Sequence, residues 1–483
     1  MCAQPSDHWT RRRFLKTTAS LPAAALGGPA HAAPERSDAR PNVLVIVTDQ
    51  QHAGMMSGTG NPWLKTPAMD GLAARGTRFD RTYATNPVCV PSRFSLWTGH
   101  YASRVGVRHN GDKAGPELGE FTKRSLGHVF RRAGYDTVYG GKVHLPGGFN
   151  NIGSHGFRVL TGNDREGLPD SCKDYFRQPR DKPFLMVASF INPHDSCYMA
   201  IRAHDPDSGL AKQTPRPMLD AMELPDGLSH RAFFADHCPP LPNNFEPTDH
   251  EPGSVDYLLR ERPFRRHVRE KWTTEDWRLH RWAYCRLTER VDAQIGRLLA
   301  ALDQSGERDN TLIVFTSDHG DMDGSHRLEH KTVFYEESSR VPLIVCPPQN
   351  GPVDRDVQSD AHGRVDSTHL VSNGLDLLPT LCDYAGIQPP KGLSGRSVRA
   401  LAEGQTPRDW REHAVIENQV GYMIHDGRYK YARYEAGRVR DLLVDLKTDP
   451  GEMKNLAKDR ETHAVRNDLR QRLKRELARR GIR

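Results

Sequence analysis

Val43-Leu44-Val45-Ile46-Val47-Thr48-Asp49-Gln50 is the stretch that decides the fold of this 483-residue chain. Its five consecutive apolar residues predict a strand buried on both faces, as in a mostly parallel sheet covered by helices. Polar residues follow the strand directly. Because ligand groups in such sheets lie beyond the carboxyl ends of the strands, Asp49 and Gln50 are candidates for a functional site. The stretch therefore predicts an α/β fold.

Three further apolar runs lead into polar clusters in the same way. They are Thr137–Tyr139 before Gly140-Gly141-Lys142-Val143-His144, Phe184–Phe190 before Asn192-Pro193-His194, and Leu312–Thr316 before Ser317-Asp318-His319. The carboxyl ends of parallel strands meet at one edge of a sheet, so four runs with four polar clusters predict one shared site. Helices are expected between the strands, at Leu118–Ala133 and at Trp277–Leu302, from their apolar spacing.

The remaining regions differ in character from this alternating pattern. The stretch from Cys197 to Arg269 is rich in proline, histidine and charge, and it predicts elaborated loops over the site or, alternatively, a disordered insertion. After Pro389-Pro390 the sequence predicts four short strands and an amphipathic helix that begins near Glu461. Such elements form a small α+β domain with an antiparallel sheet. The predicted strands are Ala414–Glu417, Gly421–Ile424, Tyr429–Tyr434 and Leu442–Leu446.

Cys89-Val90-Pro91-Ser92-Arg93 places a thiol, a hydroxyl and a guanidinium within five residues, and Thr98-Gly99 follows shortly after. Proline is favoured at the first position of a helix, so a helix is expected to start near Pro91. The N-terminus of a helix attracts anions, which suits a reactive centre for an anionic substrate. A lone cysteine is more often a buried apolar residue, and only the surrounding pattern argues against that alternative.

The whole pattern Cys-x-Pro-Ser-Arg-x-x-x-x-Thr-Gly resembles the signature of the type I sulfatases, within the alkaline-phosphatase-like superfamily. The resemblance spans nearly all of the chain and continues through Asp426–Tyr431 and Asp445–Glu452. It implies an alkaline-phosphatase-like large domain with a central, mostly parallel sheet flanked by helices, at residues 33–395. The small α+β domain then occupies residues 396–483. In this family the cysteine is oxidised to formylglycine, so the resemblance implies that Cys89 becomes the nucleophile.

The resemblance also implies a calcium site, with Mg²⁺ or Mn²⁺ as alternatives, formed by Asp49, Gln50, Cys89, Asp318 and His319. Oxygen ligands with few thiolates suit such hard cations. Sulfatases carry an Asp-Asp pair where this chain has Asp49-Gln50, and an Asp-Asn or Asp-His pair downstream. The two variants seen here resemble the choline-sulfatase and phosphonate-monoester-hydrolase branches of the superfamily.

The resemblance further implies catalytic roles for Arg93, Lys142, His144, His194 and Lys331. Arg93 would stabilise charge at the nucleophile, and Lys142, Lys331 and His319 would hold the sulfate oxygens. His194 is the candidate acid for the leaving oxygen, and His144 would accept a proton when sulfate is released. Asp318 is the expected base.

The N-terminus predicts export. Thr10–Lys16 contains the twin-arginine pattern, an alanine-rich apolar stretch follows, and Ala30-His31-Ala32 forms a small-x-small cleavage site. Residues 1–32 are therefore predicted to be a twin-arginine signal peptide, with a disordered basic N-terminus as the alternative. The expected location is periplasmic or secreted, and the expected partners are the twin-arginine translocase and, transiently, the formylglycine-generating enzyme. No later run is long enough for an integral membrane segment.

The charge of the chain excludes one class of partner. The formal net charge is +7, and residues 1–32 contribute four basic side chains and one acidic side chain, which leaves +4 for the rest. No dense basic block suits nucleic acid. Seven cysteines follow Cys2 without any CxxC pair, so neither a zinc ribbon nor a disulfide framework is indicated, and pairing cannot be read from sequence.

Together these features predict an exported sulfatase that acts on a sulfated carbohydrate. One alternative is a phosphodiesterase or phosphonate monoester hydrolase of the same superfamily, favoured by Gln50 and His319. The other is a non-catalytic binder of sulfated glycans, against which the presence of a nucleophile, metal ligands and both lysines argues.

Overall fold

The computed structural model describes residues 40–147, 151–349 and 363–482. The predicted signal peptide at residues 1–32 lies outside these ranges. Within them, no helix combines the length and the apolar character needed to cross a membrane. All seven cysteines of the described ranges are buried free thiols.

Fourteen strands are present in the described ranges. They are β1 (Asn42–Asp49), β2 (Thr77–Phe79), β3 (Thr82–Tyr83), β4 (Asp136–Gly141), β5 (Arg158–Thr161), β6 (Phe184–Pro193), β7 (Thr311–Ser317), β8 (Leu343–Cys346), β9 (Arg364–Asp366), β10 (Val371–Ser372), β11 (Ala414–Asn418), β12 (Gly421–His425), β13 (Tyr429–Tyr434) and β14 (Asp441–Asp445). Eight of them form the central sheet, in the order β5-β4-β6-β1-β7-β8-β2-β9. Pairing is parallel from β5 through β7, and only β8 runs antiparallel to its neighbours β7 and β2.

The helices of the described ranges follow the strands along the chain. They are α1 (Pro67–Arg75), α2 (Cys89–Thr98), α3 (Leu118–Thr122), α4 (Leu126–Arg132), α5 (Leu168–Phe176), α6 (Cys197–His204), α7 (Gly209–Lys212), α8 (Arg216–Met222), α9 (His230–Ala232), α10 (Gly253–Glu261), α11 (Pro263–Lys271), α12 (Thr274–Gln304), α13 (Glu336–Ser339), α14 (Asn373–Tyr384), α15 (Arg399–Ala402) and α16 (His463–Arg479). The longest helix, α12, starts with a capping box formed by Thr273 and Asp276.

Alternation along β1 explains why helices cover both faces of the central sheet. Val43, Val45 and Val47 pack with side chains of α2, α4 and α14 on one face. Leu44 and Ile46 point to the opposite face and pack with α1, α5 and α12. Successive side chains of a strand point to opposite faces, so an uninterrupted apolar run requires a cover on each side.

The C-terminal region forms a separate antiparallel sheet, in the order β11-β12-β13-β14. One face of this sheet packs against Leu469 and Leu473 of α16. The other face packs against Phe334 and Tyr335 of the large domain. The predicted α/β fold with an additional antiparallel sheet is confirmed, while the boundary between residues 395 and 396 stays a prediction.

Three local expectations were wrong. The predicted helix Leu118–Ala133 is two helices, α3 and α4, because Ser125 is extended and acts as the N-cap of α4. Helix α2 begins at Cys89 itself, two residues before Pro91. The expected loops between Cys197 and Arg269 contain six helices, α6 to α11, of three to nine residues each. Such short helices do not leave a readable periodicity in the sequence.

Candidate active site

Four adjacent strands of the central sheet deliver polar side chains to one edge. Asp49 ends β1, Lys142 follows β4, His194 follows β6 and Asp318 follows β7. The sheet order β4-β6-β1-β7 makes these four strands consecutive neighbours. The carboxyl ends of the parallel strands therefore bring the four clusters of the sequence pattern together.

Cys89 is the first residue of α2 and is 1% exposed. Its Sγ lies 3.0 Å from Lys331 Nζ and 3.2 Å from His319 Nε2. Burial and Asp49 raise the pKa of the thiol, but Lys331, Lys142 and His319 outweigh them and hold it well below its ordinary value. Negative charge at this position is thus stabilised by two lysine ammonium groups, by His319 and by the helix N-terminus.

Arg93 lies one turn after Cys89 on the same face of α2 and is completely buried. Its Nη2 donates to Asp49 Oδ2 and its Nε donates to Asp318 Oδ2, each at 2.8 Å. Its Nη1 donates to Ser189 Oγ at 2.8 Å. Arg93 therefore fixes the two carboxylates relative to each other and to the helix that carries Cys89.

Two lysines approach the same centre from different strands and loops. Lys142 Nζ lies 2.7 Å from Asp49 Oδ2, and Lys331 Nζ lies 2.7 Å from Gln50 Oε1. Burial alone would raise the pKa of Asp49, but Lys142, His194 and Arg93 together hold it well below its ordinary value. The site therefore has more cationic groups than its carboxylates need, which suits the binding of an anionic ester.

Gly141 allows β4 to deliver Lys142 to this centre. The glycine has φ +92°, and a Cβ atom on it would lie 2.0 Å from the carbonyl oxygen of Ser189. The next residue, Lys142, donates its backbone N–H to that same oxygen at 2.9 Å. Only glycine permits this close crossing between β4 and β6.

The side chain of Gln50 is held in one orientation by its neighbours. Its Nε2 donates to Asp321 Oδ2 at 2.6 Å, which directs Oε1 toward Lys331. Tyr284 donates its hydroxyl to the backbone oxygen of Gln50 at 2.6 Å. These bonds hold Gln50 at φ +69°, a conformation that glutamine rarely adopts. The amide oxygen is thereby presented to the centre as an additional ligand atom.

His319 presents its Nε2 atom to the centre. Its Nδ1 lies 2.9 Å from the carbonyl oxygen of Gly320, so Nδ1 carries the proton and donates it. Burial lowers the pKa of the imidazole, but Asp318 outweighs this and raises it. Burial and Asp49 raise the pKa of Asp318 in turn.

The donor set fits a divalent cation. Ligand atoms of Asp49, Cys89, Asp318 and His319 all lie within 4.8 Å of one another. Two carboxylates, with the Gln50 amide oxygen turned inward, match the oxygen preference of Ca²⁺ or Mg²⁺. A neutral imidazole whose other nitrogen donates to a carbonyl is the form that binds metals.

His194 and His144 are both half-buried at this edge of the sheet. Burial, Lys142 and Lys331 lower the pKa of His194 well below its ordinary value. Asp49 and Cys89 oppose this shift without cancelling it. His144 lies two residues after Lys142 and has φ +52°. Positive φ values recur nearby at His330 (+78°) and Thr332 (+94°), as is common where a fold holds functional groups in place.

Sequence reasoning missed three supporting residues. Asp321 orients Gln50, Ser189 binds Arg93 and Tyr284 binds the backbone of Gln50. Asp321 follows Asp318 by three residues, a spacing that could have drawn attention to it. Ser189 lies inside an apolar strand and Tyr284 inside a helix, where neither residue gives a local signal.

The comparisons with known proteins match this geometry. Residues 41–387 match the family model described as sulfatase, and residues 324–479 match that of the C-terminal region of N-sulphoglucosamine sulphohydrolase. The chain belongs to the sulfatase family. It is accordingly a sulfuric ester hydrolase with an alkaline-phosphatase-like fold, as the signature around Cys89 predicted.

Two curated sulfatases of Bacteroides thetaiotaomicron are similar over most of their length. The Δ4,5-hexuronate-2-O-sulfatase is 30% identical, with 87% of this chain and 85% of that protein covered. The N-acetylglucosamine-6-O-sulfatase is 27% identical, with 91% of this chain and 87% of that protein covered.

Solved structures show the same relationship. A 2-O GAG sulfatase superposes with a TM-score of 0.75 at 28% identity, covering 92% of this chain and 93% of that one. The phosphonate monoester hydrolase of Agrobacterium radiobacter shares the fold, with a TM-score of 0.69 at 24% identity over 91% of this chain and 96% of that one.

Proposed function

We propose that this sulfatase hydrolyses a sulfate ester on a sugar of a glycosaminoglycan fragment, through formylglycine made from Cys89 and a bound calcium ion. One observation carries the proposal. Cys89 Sγ lies between Lys331 Nζ and His319 Nε2, at 3.0 and 3.2 Å, at the start of α2. A nucleophile placed among cations and amide donors suits attack on an anionic ester.

Asp49, Gln50, Asp318 and His319 would hold the cation together with the oxygen that replaces the Cys89 thiol. The cation would supply positive charge next to the ester, and hydrated formylglycine would supply the nucleophilic oxygen. Lys142 and Lys331 neutralise the sulfate oxygens. Both ammonium groups lie in this centre, where Lys142 faces Asp49 and Lys331 contacts the Cys89 sulfur. Arg93 keeps the two carboxylates aligned and does not need to contact substrate.

Three side chains are placed to move protons. Asp318, whose pKa is raised by burial and by Asp49, accepts a proton from the oxygen of residue 89. His194 would donate a proton to the leaving sugar oxygen once a bound anion has raised its lowered pKa, and His144 accepts a proton at residue 89 as sulfate departs. These two histidines follow the neighbouring strands β6 and β4, and their two roles are those that the family resemblance implies.

The substrate class rests on the relatives. Their names include a hexuronate 2-O-sulfatase, an N-acetylglucosamine 6-O-sulfatase and a 2-O GAG sulfatase. All three names describe sulfated sugars of glycosaminoglycans or their fragments. A surplus of positive charge in the chain is compatible with such anionic substrates.

The decisive experiment is a desulfation panel. Sulfated disaccharides with the ester at defined positions are incubated with the purified enzyme, and free sulfate and the desulfated sugar are quantified. The Cys89→Ala variant is the blank. Release of sulfate from at least one sugar by the wild type alone supports the proposal, and sulfate release from none of them overturns it.

Oxidation of Cys89 is proposed to precede folding. The residue is 1% exposed at the start of a packed helix, so a modifying enzyme cannot reach it in the folded chain. The formylglycine-generating enzyme is therefore a transient cytoplasmic partner of the nascent chain. Mass spectrometry of the peptide that contains Cys89 tests this, because an intact thiol in the active enzyme would contradict it.

Export by the twin-arginine route is proposed from Arg11-Arg12-Arg13 and the cleavage pattern at Ala30-His31-Ala32. Replacing all three arginines by lysine retains the charge and alters the signal. Wild-type protein is expected in the periplasm or medium and the variant in the cytoplasm. Equal distribution of the two forms would contradict the proposal.

A second candidate activity is hydrolysis of phosphodiesters or phosphonate monoesters. Gln50 replaces a carboxylate, which lowers the negative charge of the centre, and phosphonate monoester hydrolases share the fold. Rates on the sulfate ester and the phosphonate ester of one phenol separate the two activities. Faster phosphonate hydrolysis would favour this candidate, and sugar binding without any turnover would favour the glycan binder.

A further inference from the structure

Glu329 is a buried carboxyl group next to the reaction centre that has no hydrogen-bond partner among the described residues, although His330 Nδ1 lies 3.7 Å from its Oε2. Its side chain is completely buried, and neither of its oxygens accepts a hydrogen bond from the described residues. Burial raises the pKa of this carboxyl to about 8, even though Arg265 and Lys331 oppose the shift. Native proteins rarely leave such a group unpaired, because burial removes its hydrogen bonds to water without replacing them.

Arg265 is a second buried charge that lacks full compensation. It belongs to α11, is 9% exposed, and its Nε has no hydrogen-bond partner among the described residues. Burial lowers the pKa of its guanidinium, and the attraction of Glu329 does not offset this. Arginine is rarely buried without a carboxylate, so its place in the fold needs a reason.

A chain of contacts connects this pair with the nucleophile. The ring of Phe264, next to Arg265, meets the ring of His330 edge to face at 6.3 Å. His330 Nδ1 lies 3.7 Å from Glu329 Oε2 and 3.4 Å from Gln50 Nε2. The residue after His330 is Lys331, whose Nζ contacts Cys89 Sγ. Arg265 and Glu329 therefore lie beside the cluster that binds the scissile sulfate.

We propose that Arg265 and Glu329 form a subsite that recognises the sugar through groups other than its scissile sulfate. Arg265 binds a second anionic group of the same sugar unit, and Glu329 hydrogen-bonds an adjacent hydroxyl. This inference rests on the proposed function and specifies its substrate: a sugar that carries a carboxylate or a second sulfate close to the ester. A guanidinium pairs with either anion in a bidentate manner, so the two sources share one chemistry.

The proposal explains why the pair is buried and incomplete at the same time. Arg265 Nε and both oxygens of Glu329 have no hydrogen-bond partner among the described residues, and they lie beside the residues that contact Cys89. Sites built to hydrogen-bond a substrate discriminate strongly, because their buried polar groups stay unpaired with the wrong molecule.

The test compares sugar and aryl sulfates. Wild type, Arg265→Gln and Glu329→Ala are assayed on an unsaturated uronate 2-sulfate disaccharide, on its carboxyl-reduced form, and on 4-nitrophenyl sulfate. Arg266→Gln is the matched control, because Arg266 lies on the same helix but binds Asp256 at 2.6 Å on the outside. Glucosamine 6-sulfate with and without an N-sulfate distinguishes a second sulfate from a carboxylate as the anion.

Arg265→Gln is expected to lower kcat/KM on the substrate with the second anion by about tenfold to 100-fold, the usual effect of a lost charged hydrogen bond. Removing the anion from the substrate should make wild type and variant alike. The aryl sulfate rate should stay within about twofold for both variants and for Arg266→Gln.

Two outcomes overturn the inference, and a third overturns the proposed function on which it rests. An equal loss on sugar and aryl sulfates would mean that Arg265 has a structural role, and no loss on any substrate would mean that it does not bind sugar. Wild type that cleaves aryl sulfate but no sugar sulfate would instead defeat the proposed function itself. Should Arg265→Gln fail to fold, as shown by thermal unfolding, Arg265→Lys retains the charge and removes the bidentate geometry, and a smaller loss confined to the substrate with the second anion is expected.

Discussion

The protein contains two clusters of buried charge that differ in their completeness. The nucleophile cluster, defined as Asp49, Cys89, Arg93, Lys142 and Lys331, surrounds a reactive sulfur at the edge of the central sheet. It has more cations than carboxylates, and its sulfur contacts the side chains of Lys331 and His319. This cluster is arranged to receive an additional anion.

The second cluster, called here the anchor cluster, consists of Lys430, Glu336 and Glu452. Lys430 Nζ lies 2.7 Å from Glu452 Oε1 and 3.1 Å from Glu336 Oε1. Glu336 also accepts a hydrogen bond from Tyr83 at 3.1 Å and pairs with Arg340 at 2.9 Å. The cluster joins β13 of the C-terminal sheet to the start of α13, and its charges satisfy one another.

The difference shows how a buried charge cluster can be assigned a role. Burial and shifted pKa values are common to both clusters and do not separate them. The two clusters differ in how their charges are paired. In the anchor cluster the carboxylates pair with Lys430 and Arg340. In the nucleophile cluster the cations outnumber the carboxylates, so an anionic ligand can pair with them. Perturbed pKa values indicate function only together with such incompleteness.

The largest effect is expected at residue 89. Cys89→Ala should reduce turnover by roughly 10⁴-fold or more, because the nucleophile is lost while the cations stay. The melting temperature should change little, since the small side chain still fits at the start of α2. Sulfate release and thermal unfolding are measured on the same preparation. Turnover close to that of the wild type would contradict the prediction, because it would show that residue 89 does not supply the nucleophile.

The next largest effect is expected in the anchor cluster and concerns stability. Lys430→Met should lower the free energy of unfolding by about 3–5 kcal/mol, because Glu336 and Glu452 lose their shared buried cation. The kcat of the protein that stays folded should not change. Chemical denaturation and active-site titration measure the two quantities separately.

Lys454→Met is the matched control for this substitution, since Lys454 is 62% exposed and only faces Asp459 at 3.6 Å. It should change stability by less than about 1 kcal/mol. A drop in kcat for Lys430→Met without a loss of stability would contradict the assignment of stability to the anchor cluster and of turnover to the nucleophile cluster.

A smaller effect in free energy is expected for Lys331→Met. The substitution retains length and removes the ammonium group that contacts Cys89 Sγ and Gln50 Oε1. It should lower kcat by about 10²-fold to 10³-fold, the usual cost of removing one group that stabilises transition-state charge. Stability should rise or stay equal, because one of several like charges is removed. Steady-state kinetics on the best substrate of the panel measures this, and an unchanged kcat would exclude Lys331 from the reaction.

The nucleophile cluster could be predicted from sequence to a large extent, and the reason is architectural. Parallel strands such as β1 must be apolar on both faces, so the change to polar residues at Asp49 marks the strand end clearly. The same change follows β4, β6 and β7, and neighbouring strands in the sheet then bring these ends together. Local patterns were enough because the sheet itself supplies the long-range contacts.

The anchor cluster and the Arg265–Glu329 pair could not be predicted in this way. Lys430 and Glu336 are separated by 94 positions, and each resembles an ordinary exposed charge in its own segment. Arg265 lies on one of six short helices in a region without readable periodicity. In both cases the partners come from different elements, and no repeating spacing within one element connects them.

The smallest predicted effect is the pH dependence of stability that Glu452 of the anchor cluster causes. Burial raises the pKa of Glu452 from 4.5 to about 7, since Glu336 adds to the shift and Lys430 does not cancel it. The folded protein therefore retains a proton on Glu452 that the unfolded chain has released above pH 4.5. Its contribution to stability is present below pH 4.5 and declines as the pH rises through about 7.

Glu336 does not obscure this trend, because Lys430 and Arg340 outweigh burial and lower its pKa to about 2, so it stays ionised throughout. Glu452→Gln should remove a slope on the order of 1 kcal/mol per pH unit between pH 4.5 and 7 from the stability curve. Melting temperatures of wild type and variant across this range measure the difference. Parallel curves would show that Glu452 is ionised in the folded protein, and the anchor cluster would then carry an excess of negative charge that only neighbouring groups such as Arg340 could balance.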